Sequence, residues 1–285
     1  MRGLPLINSR YWLTLVAASI FGTNTGDMIA IYFHLGNLAG LPWLAAVLAL
    51  VFLVERFSPV ASAVYFWAAI IVIRTGATNI ADATHPLGIY GVALVPVILL
   101  AFAGIVWVYL RRVEAGPDAA RSDAVSPVAA SPVAASPVAA GTPKVDAVYW
   151  LCMALAGIAG TLLGDYGSGA FAVASWGVAH LAGFAPGGFE FSWMQSGHLT
   201  GMIVFGAAVI ATLAGNSLAD LAKPVKYWTL LALIRTAGTA AGDYLAHTGL
   251  GLAGSSILTG LVFATLVVGF YAVRNDNLMA IGQPG

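Results

Sequence analysis

Four aspartates, Asp27, Asp82, Asp165 and Asp243, each stand fifteen residues after a tryptophan, inside an otherwise apolar run. Two arginines, Arg74 and Arg235, lie in the same kind of run, seven residues after Trp67 and Trp228. A charge at mid-bilayer costs at least ~2.5 kcal/mol, so such groups face protein or water and are candidates for function. Four acids against two bases leave two carboxylates without an ion-pair partner. Such groups exchange protons or bind a cation. Asp82 and Asp243 share their units with the arginines and are expected to be the compensated acids; Asp27 and Asp165 are expected to carry the ion. Arg74, roughly 12 Å along the same helix from Asp82, is expected to reach a neighbouring helix or the bundle axis, and Arg235 to do the same.

Histidines accompany three of the acids. His85 follows Asp82 by three residues, His247 follows Asp243 by four, and His34 follows Asp27 by seven. These offsets keep imidazole and carboxylate on one helical face. Mixed carboxylate and imidazole ligands suit a divalent Mn, Fe or Zn ion, so His34, His85 and His247 are candidate metal ligands. The third unit has no equivalent, although His180 or His198 could fill the place. The plain alternative is that these histidines are ordinary polar groups at a membrane interface.

A five-residue frame, small-Thr-x-x-small, precedes every aspartate: Gly22 to Gly26, Ala77 to Ala81, Gly160 to Gly164 and Gly238 to Gly242. Small residues at this spacing let helix backbones approach closely. Thr23, Thr78, Thr161 and Thr239 are therefore candidate ion or substrate ligands beside the acids, or simply helix glue. An aromatic residue leads each tryptophan: Tyr11, Phe66, Tyr149 and Tyr227. Four matches at one spacing make a repeat.

These motifs need long apolar elements to carry them. Sixty percent of the 285 residues are hydrophobic and eight percent charged, with a mean hydropathy of +0.88, values outside the soluble range. Net charge is zero, which gives nucleic acid nothing to recognise. The single cysteine, Cys152, excludes an intramolecular disulfide. A membrane-spanning helix takes about 20 apolar residues, and eight segments qualify: approximately 11–33, 41–56, 63–84, 91–111, 147–167, 198–217, 225–246 and 254–273. The expected fold is an all-α polytopic membrane protein with four helical-hairpin repeats in two parallel halves. The aspartate-bearing helices would form an inner ring, with the plainer second helices outside. The four tryptophans suit an interfacial aromatic belt.

The first half is expected at 1–112 and the second at 147–285. Between them, 113–146 holds Ser-Pro-Val-Ala-Ala three times in tandem, the composition of an extended linker. The third unit carries an insertion at about 168–196, with a Pro186-Gly187-Gly188 turn, expected to be interfacial or re-entrant. Ten Lys and Arg residues fall at the termini or in connections on the N-terminal side of the repeats, and none falls in the loops after each aspartate. This bias puts both termini in the cytoplasm.

The recurrent Gly-Thr-x-x-Gly-Asp in an aromatic-led membrane helix resembles a family of uncharacterised bacterial membrane-anchored proteins defined by a membrane repeat of unknown function. Gly22-Thr23 with Gly26-Asp27, Gly160-Thr161 with Gly164-Asp165 and Gly238-Thr239 with Gly242-Asp243 carry the resemblance. Ala77 and Ala81 replace both glycines in the second copy. The resemblance implies a multi-pass protein of the bacterial inner membrane and brings no activity with it.

The charges support three classes of function. The first is transport of a cation, either a divalent metal or a proton-coupled small solute, through a site lined by the repeated aspartates. The second is a membrane-embedded metal-dependent enzyme, which a closed three-ligand set beside Asp82 and His85 would favour. The third is a sensor or assembly factor whose linker recruits a partner. The near-equivalence of the four acids favours transport, because catalysis differentiates the roles of like groups.

Overall fold

The computed structural model describes residues 5–32, 34, 36–58, 62–114, 145–181 and 190–272. Every regular element among them is helical. Eight long helices follow in order: α1 Ser9–Ile31, α2 Leu41–Phe57, α3 Ala63–Asp82, α4 Ile89–Glu114, α5 Ala147–Leu181, α6 Glu190–Ala214, α7 Pro224–Ala246 and α8 Gly251–Val267. Side-chain caps set several starts. Asn8 accepts from the Tyr11 amide at 3.1 Å, and Ser62 accepts from Val64 at 3.2 Å; each satisfies a donor the first helical turn leaves open. Pro224 opens α7, where its missing N–H costs nothing.

Among the described residues, six helices are long and apolar enough to cross a membrane, those in Gly36–Phe57, Ala63–Leu87, Ile89–Arg112, Ala147–Ser175, Gln195–Ala214 and Gly251–Tyr271. The other two long helices, α1 and α7, have 23 residues each. They fall short in apolar character because they carry the repeat's polar residues on faces that meet protein.

Helices α1, α3, α5 and α7 each pack on two of the others, in the cyclic order α1–α3–α5–α7. The aromatic pairs follow the same order. Within each pair the rings meet edge to face at 5.1–5.3 Å. Tyr11 then reaches Trp67 of the next unit at 5.5 Å, Phe66 reaches Trp150 at 5.7 Å, Tyr149 reaches Trp228 at 5.4 Å, and Tyr227 returns to Trp12 at 5.6 Å. The tryptophans are therefore not an interfacial belt. Trp12, Trp67 and Trp228 are at most 2% exposed, because each indole closes the seam between neighbouring helices, where aromatic edges and faces attract.

The remaining helices cover this core. Each unit's second helix packs on the first helix of the following unit: α2 on α3, α4 on α5, α6 on α7 and α8 on α1. Only α6 is packed as extensively on its own predecessor, α5. Self-contained hairpins were the expectation; staggered units are what the packing gives. Outward, these helices present Leu50, Leu53, Leu100, Ile210, Ile257 and Leu261, suited to lipid because every helical backbone group is already bonded internally.

One other expectation changes. Over its described part the 168–196 stretch is not an interrupted element: α5 continues unbroken to Leu181, 35 residues in all, and α6 begins at Glu190. At 1.5 Å per residue α5 is roughly 52 Å long, more than a ~30 Å hydrocarbon core needs. The Pro186-Gly187-Gly188 turn and residues 115–144 of the expected linker lie outside the described residues. In the short connection Leu218–Leu221, Asp220 accepts from Lys223 at 2.7 Å and from the Ser217 hydroxyl at 2.8 Å. The Lys223 ammonium, then Ser217, hold this carboxyl down to about 2. That depressed acid keeps its charge, and the turn its pairing, at every pH until acid falls to about 2.

Candidate functional site: stacked polar layers and a carboxylate cavity

Identical spacing in four helices of equal rise stacks like residues in layers. At the tryptophan-bearing end, the Tyr11, Tyr149 and Tyr227 hydroxyls form a buried knot, Tyr11 to Tyr227 at 2.5 Å and Tyr149 to Tyr227 at 2.8 Å. Phe66 fills the fourth place without a hydroxyl.

The next layer is formed by equivalent positions Ser19, Arg74, Gly157 and Arg235. Arg74 is fully buried. Its guanidinium donates to the hydroxyls of Thr23, Thr161 and Thr239, each at 2.6 Å. It also donates to the carbonyls of Gly157 at 3.3 Å and Ser19 at 3.4 Å. One side chain thus ties its own helix to the other three. This is the neighbour-reaching geometry required of Arg74, but its partners are hydroxyls and carbonyls. Among the described residues neither arginine pairs with an aspartate, so the expected pairing with Asp82 and Asp243 is corrected. Arg235 is equally buried, within electrostatic reach of the three tyrosine hydroxyls, and its three nitrogens have no hydrogen-bond acceptor among the described residues.

The threonines belong to this cage and not to an open binding surface. Thr23 and Thr239 also donate back to the carbonyls of Ser19 and Arg235, and Thr78 donates to the Arg74 carbonyl at 3.2 Å. Glycine makes the layer possible. A Cβ on Gly22 would overlap Arg74, and one on Gly160 would overlap Arg235. A Cβ on Gly26 would fall 2.9 Å from Thr78, and one on Gly164 2.7 Å from Thr239. Gly22 and Gly160 each receive the next unit's arginine, and Gly26 and Gly164 the next unit's threonine.

The final layer opens. Asp27, Asp82, Asp165 and Asp243 all line one cavity of about 820 Å³, together with His85, Tyr166, Ser168 and His198. Asp27 and Asp82 lie within interaction distance of each other, and so do Asp165 and Asp243. The acids are thus grouped as neighbours. The structure does not separate a compensated couple, Asp82 and Asp243, from a free one, Asp27 and Asp165.

The histidines divide. His85 Nε2 lies 3.1 Å from Asp165 Oδ2, and His198 Nδ1 lies 3.7 Å from Asp243 Oδ2. The acid nearest His85 in these contacts is thus in the next unit, with Asp82 of its own unit within 4.8 Å. His198, weighed from the sequence only as a substitute in the third unit, lines the cavity and stacks on His247 at 5.4 Å. His247 is off the cavity wall, with its Nδ1 2.7 Å from the Asp243 carbonyl. His34 is exposed, at φ 53°, and also off the wall. The tyrosine knot was visible in the sequence as a repeated aromatic, but a hydroxyl in three of four copies was the unused signal.

Residues 226–276 match the family model described as Repeat of Unknown Function (DUF347). The match covers α7 and α8, one of the four units. Searches of the curated proteins and of the solved structures give no match.

Proposed function

We propose that this protein is an eight-helix bacterial inner-membrane transporter that moves a cation, a divalent metal or protons coupled to a small solute, through the aspartate-lined cavity. One observation carries the reading: acids from four separate repeats converge on a single cavity, while of the two buried arginines behind them Arg74 is held by threonines and Arg235 has no hydrogen-bond acceptor among the described residues. The carboxyls are thus left for a mobile ion. The cyclic contacts of α1, α3, α5 and α7 support an inner ring of aspartate-bearing helices, and the family match supports a repeat unit about the length of one hairpin. The tyrosine knot and the aromatic seams would close the pathway at the tryptophan-bearing end, leaving the aspartate-bearing end open.

The lysines and arginines gathered at the tryptophan-bearing end support a cytoplasmic position for that end and both termini. Reporter fusions at the termini and within 115–144 are expected to read cytoplasm, and fusions beside His34 the opposite side; a reversed pair overturns the orientation.

The decisive assay is flux into vesicles holding the purified protein, followed with metal-sensitive and pH-sensitive dyes under an imposed gradient. Wild type is expected to exceed empty vesicles, and Asp27→Asn and Asp165→Asn to fall to the empty-vesicle rate while remaining monodisperse. If both variants carry the ion like wild type, the acids are structural and transport is abandoned.

A metal-dependent membrane enzyme is favoured by one specific observation, the approach of Asp82, His85 and Asp165 to one another. That reading takes over if the protein binds metal but supports no flux.

A further inference from the structure

We propose that Asp82, His85 and Asp165 form the cation's binding site and that its ligand is a divalent first-row transition metal. This rests on the reading of the cavity as a cation site and names the class of ion. One ligand atom from each residue can be chosen so that all three lie within 4.8 Å of one another. Ligands at a tetrahedral angle, each roughly 2.1 Å from a metal, stand about 3.4 Å apart. His85 Nε2 and Asp165 Oδ2, 3.1 Å apart, already sit near that spacing, and an atom at the 4.8 Å limit closes on an ion with a shift of about 1 Å.

Chemistry selects the ion. Calcium and magnesium are bound by oxygen alone, whereas an imidazole with two carboxylates suits Mn, Fe, Co or Zn. A soft monovalent ion would want thiolate or thioether ligands, and the only cysteine, Cys152, is buried in the wall of the aromatic core.

The surroundings are those of a ligand site. Asp165 Oδ2 is buried and lacks a properly directed hydrogen bond, although His85 Nε2 is 3.1 Å away. Two ligand atoms 3.1 Å apart with no hydrogen bond between them suit an ion that lies beside both. Ser168, 1% exposed, lines the same cavity with an unpartnered hydroxyl, as does Tyr166. Both ligand carboxyls are backed by a second one, Asp82 by Asp27 and Asp165 by Asp243, and Tyr166 holds the His85 ring edge-on at 5.7 Å. Such outer contacts orient ligands and tune affinity. His85 itself is 43% exposed, so an ion can enter from the cavity. Because Asp82 and His85 come from one half of the chain and Asp165 from the other, movement of one half against the other would dismantle the site and release the metal.

The test is titration of the full-length purified protein in detergent with Co²⁺, read by its visible absorption. Wild type is expected to bind one equivalent, displaced by Zn²⁺ and unaffected by excess Mg²⁺. His85→Ala, at an exposed position outside the helix core, is expected to weaken Co²⁺ binding by at least about tenfold, and His34→Ala to leave it unchanged. Asp165→Asn is expected to lose the spectrum. No Co²⁺ binding by wild type, wild-type binding by both His85→Ala and Asp165→Asn, or equal competition by Mg²⁺ overturns the assignment. Flux that needs the aspartates in a protein that binds no transition metal would leave transport standing and remove this site; one bound Co²⁺ without flux would do the reverse.

Discussion

Replacing Thr23, Thr161 and Thr239 together by valine is expected to abolish most of the folded yield, and adding Arg74→Leu to restore much of it. Valine keeps the shape of threonine and removes only the hydroxyl. Arg74 is wholly buried and spends three of its hydrogen bonds, each 2.6 Å, on these hydroxyls. A hydrogen bond to a charged group is worth about 1.5–3 kcal/mol, and an uncompensated buried charge costs roughly 3–5 kcal/mol. The losses share one guanidinium, so they will not add; the last threonine removed should cost most. Arg74→Lys should not substitute, because one ammonium cannot fork to three helices. Thermal unfolding in detergent with size-exclusion monodispersity measures all four proteins. A triple variant as stable as wild type would show that the threonines do not hold the arginine, and failure of Arg74→Leu to rescue would show that its charge is not the cause.

Gly160→Ala and Gly206→Ala are expected to move stability in opposite directions. A Cβ on residue 160 would stand 2.9 Å from the Arg235 carbonyl carbon and 3.0 Å from the Thr236 nitrogen. Both are backbone atoms that cannot swing aside, so α5 and α7 would have to separate along the seam that carries the threonine cage. Overpacking of this kind costs about 1–3 kcal/mol, and the loss of cage geometry adds to it. Gly206 on α6 has nothing within 4 Å of its would-be Cβ. Alanine there gains the ~0.5–1 kcal/mol that glycine forfeits inside a helix. Equal melting points for the two variants would mean that the close approach at Gly160 contributes nothing.

The contrast between these glycines explains what could be read from the sequence. Spacing transmits depth: fifteen residues of helix rise the same distance in every copy, so four tryptophans share one level and four aspartates another. Spacing does not transmit direction, because each residue turns the helix by about 100° and facing depends on neighbours that only the assembled bundle defines. Hence Trp12, Trp67 and Trp228 suit an interfacial belt by their position in the sequence but lie within the protein. Arg74 and Arg235, identical in register, point to different company. His85 pairs with an acid of another unit, and α2 and α4 leave their own units to pack on the next. The extension of α5 through Leu181 runs past the stretch that the Pro186-Gly187-Gly188 turn marks in the sequence as interrupted; glycines such as Gly167, Gly169 and Gly177 do not stop it, since glycine is tolerated in membrane helices.

The single arginine in the threonine cage also bears on how such a chain can arise. A side chain on the axis of a fourfold ring has room for no symmetry mate. Four identical units assembled from separate chains would present four arginines there, or none; two identical two-unit chains would present two, related by the dyad. Joining the units into one polypeptide lifts that constraint. Ser19 and Gly157 can shrink while Arg74 grows into the space their carbonyls line, and Arg235 can keep the same register yet turn toward the tyrosines. Gene fusion here does more than tether subunits: it permits the broken symmetry on which the centre of the bundle depends.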